Sequence, residues 1–121
     1  MGDIAYDSIK KSLDVTVLRQ KVISNNIANL NTKNFKRSDV VFEEKLKDEI
    51  QRYGTHDTRV SKLEPEIKKD ETTSFRMDNN NVDIDVEMTN QAANAIEYYS
   101  LISQFNNRIG IMRNVINEGR R

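Results

Sequence analysis

Apolar positions in this chain gather at its two ends, where they recur at alternating steps of four and three residues. In the second half Met88, Ala92, Ala95, Tyr99, Ile102, Asn106, Ile109, Arg113 and Ile116 follow that rule. Near the start Ile9, Leu13, Thr16, Gln20, Ile23, Ile27 and Leu30 do the same. Steps of three and four average 3.5, which keeps one stripe of a helix turned toward a partner helix. The pattern predicts an all-α-dominated chain whose long terminal helices pair as an antiparallel coiled-coil-like hairpin, with a small, partly extended middle. With Leu30 set near Met88, the hairpin brings Gln20 near Tyr99 and Leu13 near Asn106. Three segments result: an axial helix and Asn-rich turn over 1–37, a short helix plus extended or flexible stretch over 38–82, and a long axial helix over 83–121.

The first helix is expected to start at Asp3, whose carboxylate can accept from free backbone N–H groups, and to run to about Leu30. At 100° per residue a second apolar face, Ile4, Val15, Leu18 and Val22, lies nearly opposite the seam. It needs a second neighbour, expected to be an adjacent subunit. The run Ser24-Asn25-Asn26-Ile27-Ala28-Asn29 conflicts with this helix, since each Asn costs roughly 0.6 kcal/mol relative to Ala. Either the helix stops at Ile23 and a polar loop follows, or the seam continues through Ile27 while the Asn amides cap chain ends or bond to another subunit.

Asn34 suits the left-handed backbone that ends helices, and Phe35 re-enters apolar packing. Phe42, Leu46 and Ile50 at four-residue steps predict a short amphipathic helix over about 39–52, with Gly54 beyond it. Residues 55–76 hold the single Pro, Pro65, and only a weak alternation of Leu63, Pro65 and Ile67. They read as an extended segment that orders when a neighbour covers it. Asp78-Asn79-Asn80-Asn81 is a turn by composition. Asp83 caps the last helix, with Asp85 and Glu87 complementing its positive end.

Composition sharpens this toward an elongated shape. Charged residues are 31% against 36% apolar in 121 residues, which argues for a modest core. A helix over 83–117 is roughly 50 Å long, whereas a compact globule of this size is about 35 Å across. Net charge is zero but uneven: +4 over 1–37, −6 over 38–87 and +2 over 88–121. No dense basic stripe marks a nucleic-acid binder. There is no Cys, hence no disulfide, and no stretch approaches the ~20 apolar residues of a membrane span. Asp3, Asp7, Lys10 and Lys11 interrupt any secretory signal, which implies a cytoplasmic chain or one exported without a cleaved leader.

Catalytic and ligand chemistry finds little to stand on. His56 is the single His, so zinc and Ser-His-Asp constellations lack members. Asp78, Asn80, Asp83, Asp85 and Glu87 invite a calcium reading, but the EF-hand pattern fails at Val82 and lacks its Gly. No cofactor and no small-molecule substrate are expected. Tyr98, Phe105 and Met112 repeat every seven residues and widen the seam, while Asn106 and Arg113 are the polar seam positions that fix register or partner in coiled coils.

Two motifs are distinctive. Asn26-Ile27-Ala28-Asn29-Leu30-Asn31-Thr32-Lys33-Asn34-Phe35-Lys36-Arg37 resembles the N-terminal signature of flagellar axial proteins, roughly N-I-A-N-x-x-T-x-G-[FY]-[KR]. Asn34 stands where Gly is usual. Asp78-Asn79-Asn80-Asn81-Val82-Asp83-Ile84-Asp85-Val86-Glu87-Met88 is similar to a D-G-N-N-V-D-x-D-x-E-M segment of the flagellar basal-body rod protein family, with Asn79 for Gly. The resemblance implies a structural subunit of the proximal rod, the shaft that carries torque from motor to hook. It also implies export through the flagellar type III apparatus without a cleaved signal, with other rod subunits and the MS-ring/rod-base adaptor proteins as partners. The residues alone leave a rival: a soluble coiled-coil adaptor or chaperone binding a partner helix in a groove.

Overall fold

The computed structural model describes residues 4–55, 58–74 and 76–119. Two long helices, α1 (Ile4–Ala28) and α4 (Ile84–Glu118), frame a small middle made of β1 (Ser38–Val41), α2 (Glu43–Tyr53), α3 (Thr58–Ser61) and β2 (Glu66–Lys69). The helices run antiparallel and pack together along α1. The Asp83 side chain starts α4, accepting from Asp85 N at 3.0 Å and Val86 N at 3.5 Å. Gly54 ends α2 at φ 83°, a left-handed backbone that Gly adopts without strain.

The middle differs from the helix expected over 39–52 and the uncovered segment expected over 55–76. Asp39, Val40 and Val41 form β1, since β-branched residues on a half-buried surface favour a pleated strand. It pairs antiparallel with β2, Ser38 opposite Lys69 and Val41 opposite Glu66. Glu66–Lys69 therefore finds a hydrogen-bonding partner inside the chain, although all four residues stay exposed. Helix begins only at Glu43, preceded by the buried Phe42 at φ −142° and ψ −48°. The four-residue rhythm persists from there, as Leu46 packs inward.

Val15, Val22, Val40 and Phe42 make the core, with Leu18, Leu46 and Leu63 packed against them. Each such side chain contributes about 1.5–3 kcal/mol on leaving water. Val15, Leu18 and Val22 of the second apolar face of α1 are thus covered by the chain's own Val40, Phe42, Leu46 and Leu63, not left for an adjacent subunit as expected. The cause is β1, whose Val40 reaches across to α1. Ile4 lies outside the residues whose side chains are described.

The register of the two long helices also differs from the sequence expectation. Asn26 meets Glu87 at 3.2 Å, the Asn94 amide donates to the Thr16 carbonyl at 2.9 Å, and the Tyr6 and Phe105 rings lie 5.4 Å apart. Compared with Leu30 beside Met88, α4 has slid by about two helical turns. It has also turned: the stripe facing α1 carries Glu87 and Asn94, both buried, and the half-buried Leu101 and Phe105. That stripe lies one residue to the side of the heptad seam.

Candidate functional site

The two sequence motifs meet at one end of the helix pair, where a buried polar junction joins them. α1 continues through Asn25 and Asn26 to Ala28, so the helix does not stop at Ile23. The Asn26 side chain is fully buried and belongs to this chain's own fold. Its Nδ2 donates to the Ser38 carbonyl and its Oδ1 accepts from the Ser38 N–H, both at 2.9 Å. A neighbouring strand would make the same two bonds, so Asn26 satisfies the inner edge of β1. The same Nδ2 reaches Glu87 Oε2 at 3.2 Å.

Glu87 is the largest fully buried side chain among the described residues. The sequence places it as a partner of the helix dipole, but its carboxylate is taken by Arg37 Nε at 2.5 Å and by Asn26. Burying a carboxylate is costly unless a cation and hydrogen bonds compensate, and both are present. Arg37 also clasps Asp39 with two bonds of 2.6 Å and contacts Asp70 Oδ2 at 3.4 Å. Its bonds to Asp39, then those to Glu87, raise its affinity for its proton against the opposing effect of burial. Asp70 is held below the usual carboxylate range, first by the Thr72 backbone N–H at 3.0 Å and then by Arg37.

The asparagine turn supplies the remaining links. Asn80 is fully buried, and its Nδ2 lies within 3.0 Å of the Asn29, Leu30 and Thr32 carbonyls, in the turn that follows α1. Two hydrogens serve three acceptors, so one bond is shared. Asn80 Oδ1 accepts from Val82 N at 2.8 Å, and Val82 is buried. Asn81 Oδ1 accepts from Arg37 N at 2.7 Å, while its Nδ2 donates to the Asp70 carbonyl at 2.8 Å. Asn34 N donates to the Asp78 carbonyl at 2.7 Å, and Asn79 Nδ2 to Asn34 Oδ1 at 3.2 Å. Asn34 and Asn79, the two departures from Gly, take φ of 63° and 62°. These are the left-handed positions that a glycine would fill and that Asn tolerates.

Of the other motif residues, Phe35 accepts at its carbonyl from Asn81 N at 3.4 Å, Asn29 bonds back to Asn25, and Thr32 bonds to Asn29. Ala28, Asp83 and Asp85 are exposed, and Ile27 is half-buried. The seam residues divide. On α1, Ile23 is buried and Ile9, Leu13, Ile27 and Leu30 are half-buried. On α4, Met88, Ala92, Tyr99 and Ile116 are exposed, and Ala95, Ile102 and Ile109 only half-buried. Sequence reasoning missed Arg37 and Ser38 as the centre of the junction. A basic residue at the end of the first motif and an acid near the end of the second were the available signal.

The opposite end of the pair is built differently. Every residue from Ile111 to Gly119 is exposed, including Ile111, Met112, Val115 and Ile116. A groove of about 510 Å³ between α1 and α4 is lined by Val17, Gln20, Lys21, Ala95, Tyr98 and Tyr99, among others, and brings no acid-base pair together. Among the described residues no group of three metal-binding side chains forms and no helix is long and apolar enough to cross a membrane. His56 lies outside the described residues.

A family described as "Flagella basal body rod protein" matches residues 17–36, which span the middle of α1 through the first motif. The flagellar basal body rod protein FlgB of Bacillus subtilis (strain 168) is 32% identical over 120 residues, covering 93% of each chain. That of Borrelia hermsii is 35% identical over 112 residues, covering 79% of this chain and 83% of its own. The Escherichia coli (strain K12) protein is 28% identical over 132 residues, with 97% and 96% covered. The chain belongs to the FlgB family of flagellar basal body rod proteins, which are structural subunits and not enzymes.

Proposed function

We propose that the chain polymerises through its terminal helices into the proximal rod, the part of the drive shaft that carries torque from motor to hook. The observation that supports this is the contrast along α4: one end is fixed by the buried Glu87–Arg37 junction, while the other presents exposed Ile111, Met112, Val115 and Ile116. A heterologous contact repeated along a helical path would cover such surface copy by copy. The partners are other rod subunits and the MS-ring/rod-base adaptor proteins, on the periplasmic side of the inner membrane. The route is the flagellar type III apparatus, without a cleaved signal. Export unfolded suits a fold whose apolar core is small.

Deleting the gene and restoring it on a plasmid tests the proposal. Loss of swimming, with basal bodies that stop short of the rod, is expected, and the plasmid copy should restore both. Complete rods in the deletion strain, together with a purified chain forming a small oligomer of fixed size, would support the coiled-coil adaptor instead.

A further inference from the structure

The two-stranded sheet is closed along one edge and open along the other, and backbone direction sets the difference. Asp70 N donates to the Arg37 carbonyl at 2.8 Å, so Arg37 turns its backbone polar groups toward β2 and Ser38, the next residue, turns away. Asn26 takes both the Ser38 N–H and its carbonyl, and Arg19 reaches the Val40 carbonyl at 3.5 Å. The far edge of β1 is thus occupied by α1. On β2 the same alternation aims Glu66 and Lys68 at β1 and turns the backbone groups of Ile67 and Lys69 outward. Among the described residues no third strand joins them. All four β2 residues are exposed, and Ile67, on the same face as the buried Val40, is itself 55% exposed.

An open edge is a template for another strand, and lysines placed on it ordinarily keep copies apart. Here the order of the charges does the reverse. If β2 pairs antiparallel with β2 of a second copy, only outward-turned residues exchange hydrogen bonds, and Ile67 can face Ile67. Each Lys68 then stands directly opposite the second copy's Glu66, so two ion pairs form on one face while the two isoleucines meet on the other. Sliding to the next outward-turned partner sets Lys68 on Lys68 in one direction and Glu66 on Glu66 in the other. Charge therefore selects a single register. Pro65 falls opposite Lys69 at the end of this ladder, where its missing N–H breaks no bond within the chain. Lys45 approaches Glu66 only at 3.9 Å, and the Glu66 side chain stays 61% exposed, which leaves room for a second cation. We propose that β2 of one copy pairs antiparallel with β2 of a second copy, Ile67 on Ile67, to give one continuous sheet across a two-fold dimer of the free chain. Such a contact closes on itself, unlike a filament contact repeated with one polarity, and it does not rest on the rod reading.

Sedimentation of the purified full chain over a range of concentrations tests this. Wild type should pass from monomer to dimer, and Glu66→Lys and Lys68→Glu should each lose the dimer while unfolding at a similar urea concentration. Mixing the two single variants should restore it, since every cross-strand pair is again opposite in charge, and so should the double variant carrying both changes. Wild type that stays monomeric, a dimer that survives Glu66→Lys, or a mixture that stays monomeric overturns the proposal. The second of these results would place association on another surface, such as the terminal helices. Where a charge variant does not fold, cysteine crosslinking decides, and the chain has no Cys of its own to interfere. Two Cys at position 67 would lie about 5.5 Å apart across the two-fold axis, within reach of a disulfide, whereas two at position 69 would be about 13 Å apart. Ile67→Cys should therefore oxidise to a covalent dimer and Lys69→Cys should remain monomeric. Equal crosslinking of the two overturns the pairing.

Discussion

The two ends of the helix pair invert the usual distribution of polar and apolar groups. Where α1 ends and α4 begins, Asn26, Asn80 and Glu87 are completely buried. Where α4 runs on to Gly119, Ile111, Val115 and Ile116 are in water. Buried polar groups give geometry, because each demands partners at set distances and angles. Exposed apolar groups give appetite for a partner but little geometry, because the hydrophobic effect is non-directional. The junction therefore fixes how the helices are joined within one chain, and the other end stays exposed in that chain.

The strongest test of that contrast is to open the junction. Arg37→Met leaves Glu87 buried without its cation and should destabilise the chain by about 3–5 kcal/mol in urea unfolding. Combining it with Glu87→Leu should recover much of the loss, because the uncompensated charge is then gone. A double variant as unstable as the single one would show that the junction acts by packing alone. Asn26→Ala removes both partners of Ser38 and should cost about 2–3 kcal/mol, with β1 the first element to lose amide protection.

Smaller effects probe the turn. Asn79→Gly keeps φ near 62° available and should change stability by less than about 1 kcal/mol, whereas Asn79→Val should be clearly destabilising. At the other end, Ile116→Ser should leave the free chain within about 0.5 kcal/mol of wild type while reducing its incorporation into rods. A large loss of stability there would mean that the exposed end is already packed in the free chain.

The smallest effect is titration. The folded pKa of Asp70 is below its ordinary value, so its stabilisation is fully present above about pH 4 and is lost as pH falls through the lower folded value. Asp70→Asn should flatten that part of the stability profile.

Helix at both ends, the turn at Asn34, the cap at Asp83 and the two motifs were legible in the sequence, because each follows from local backbone preference or from helical period. That Val15 and Val22 need a cover was legible too, but not that the chain supplies it. That depended on Val40 and Val41 pairing with Glu66 and Ile67 in a strand ladder, a contact across more than twenty residues that no local pattern encodes. Asn26 showed the same limit. Its helix-poor amide signalled an unmet need, and only the arrival of Ser38 and Glu87 showed what met it.

By itself, then, the sequence determined an elongated helical chain with a seam at each end and a signature in each turn, since periodicity and propensity act over a few residues. The tertiary structure decided which stripe of α4 meets α1 and in what register. A heptad pattern is satisfied by any helix partner at any whole-heptad shift, whereas a buried Glu87 is satisfied only where Arg37 and Asn26 converge on it.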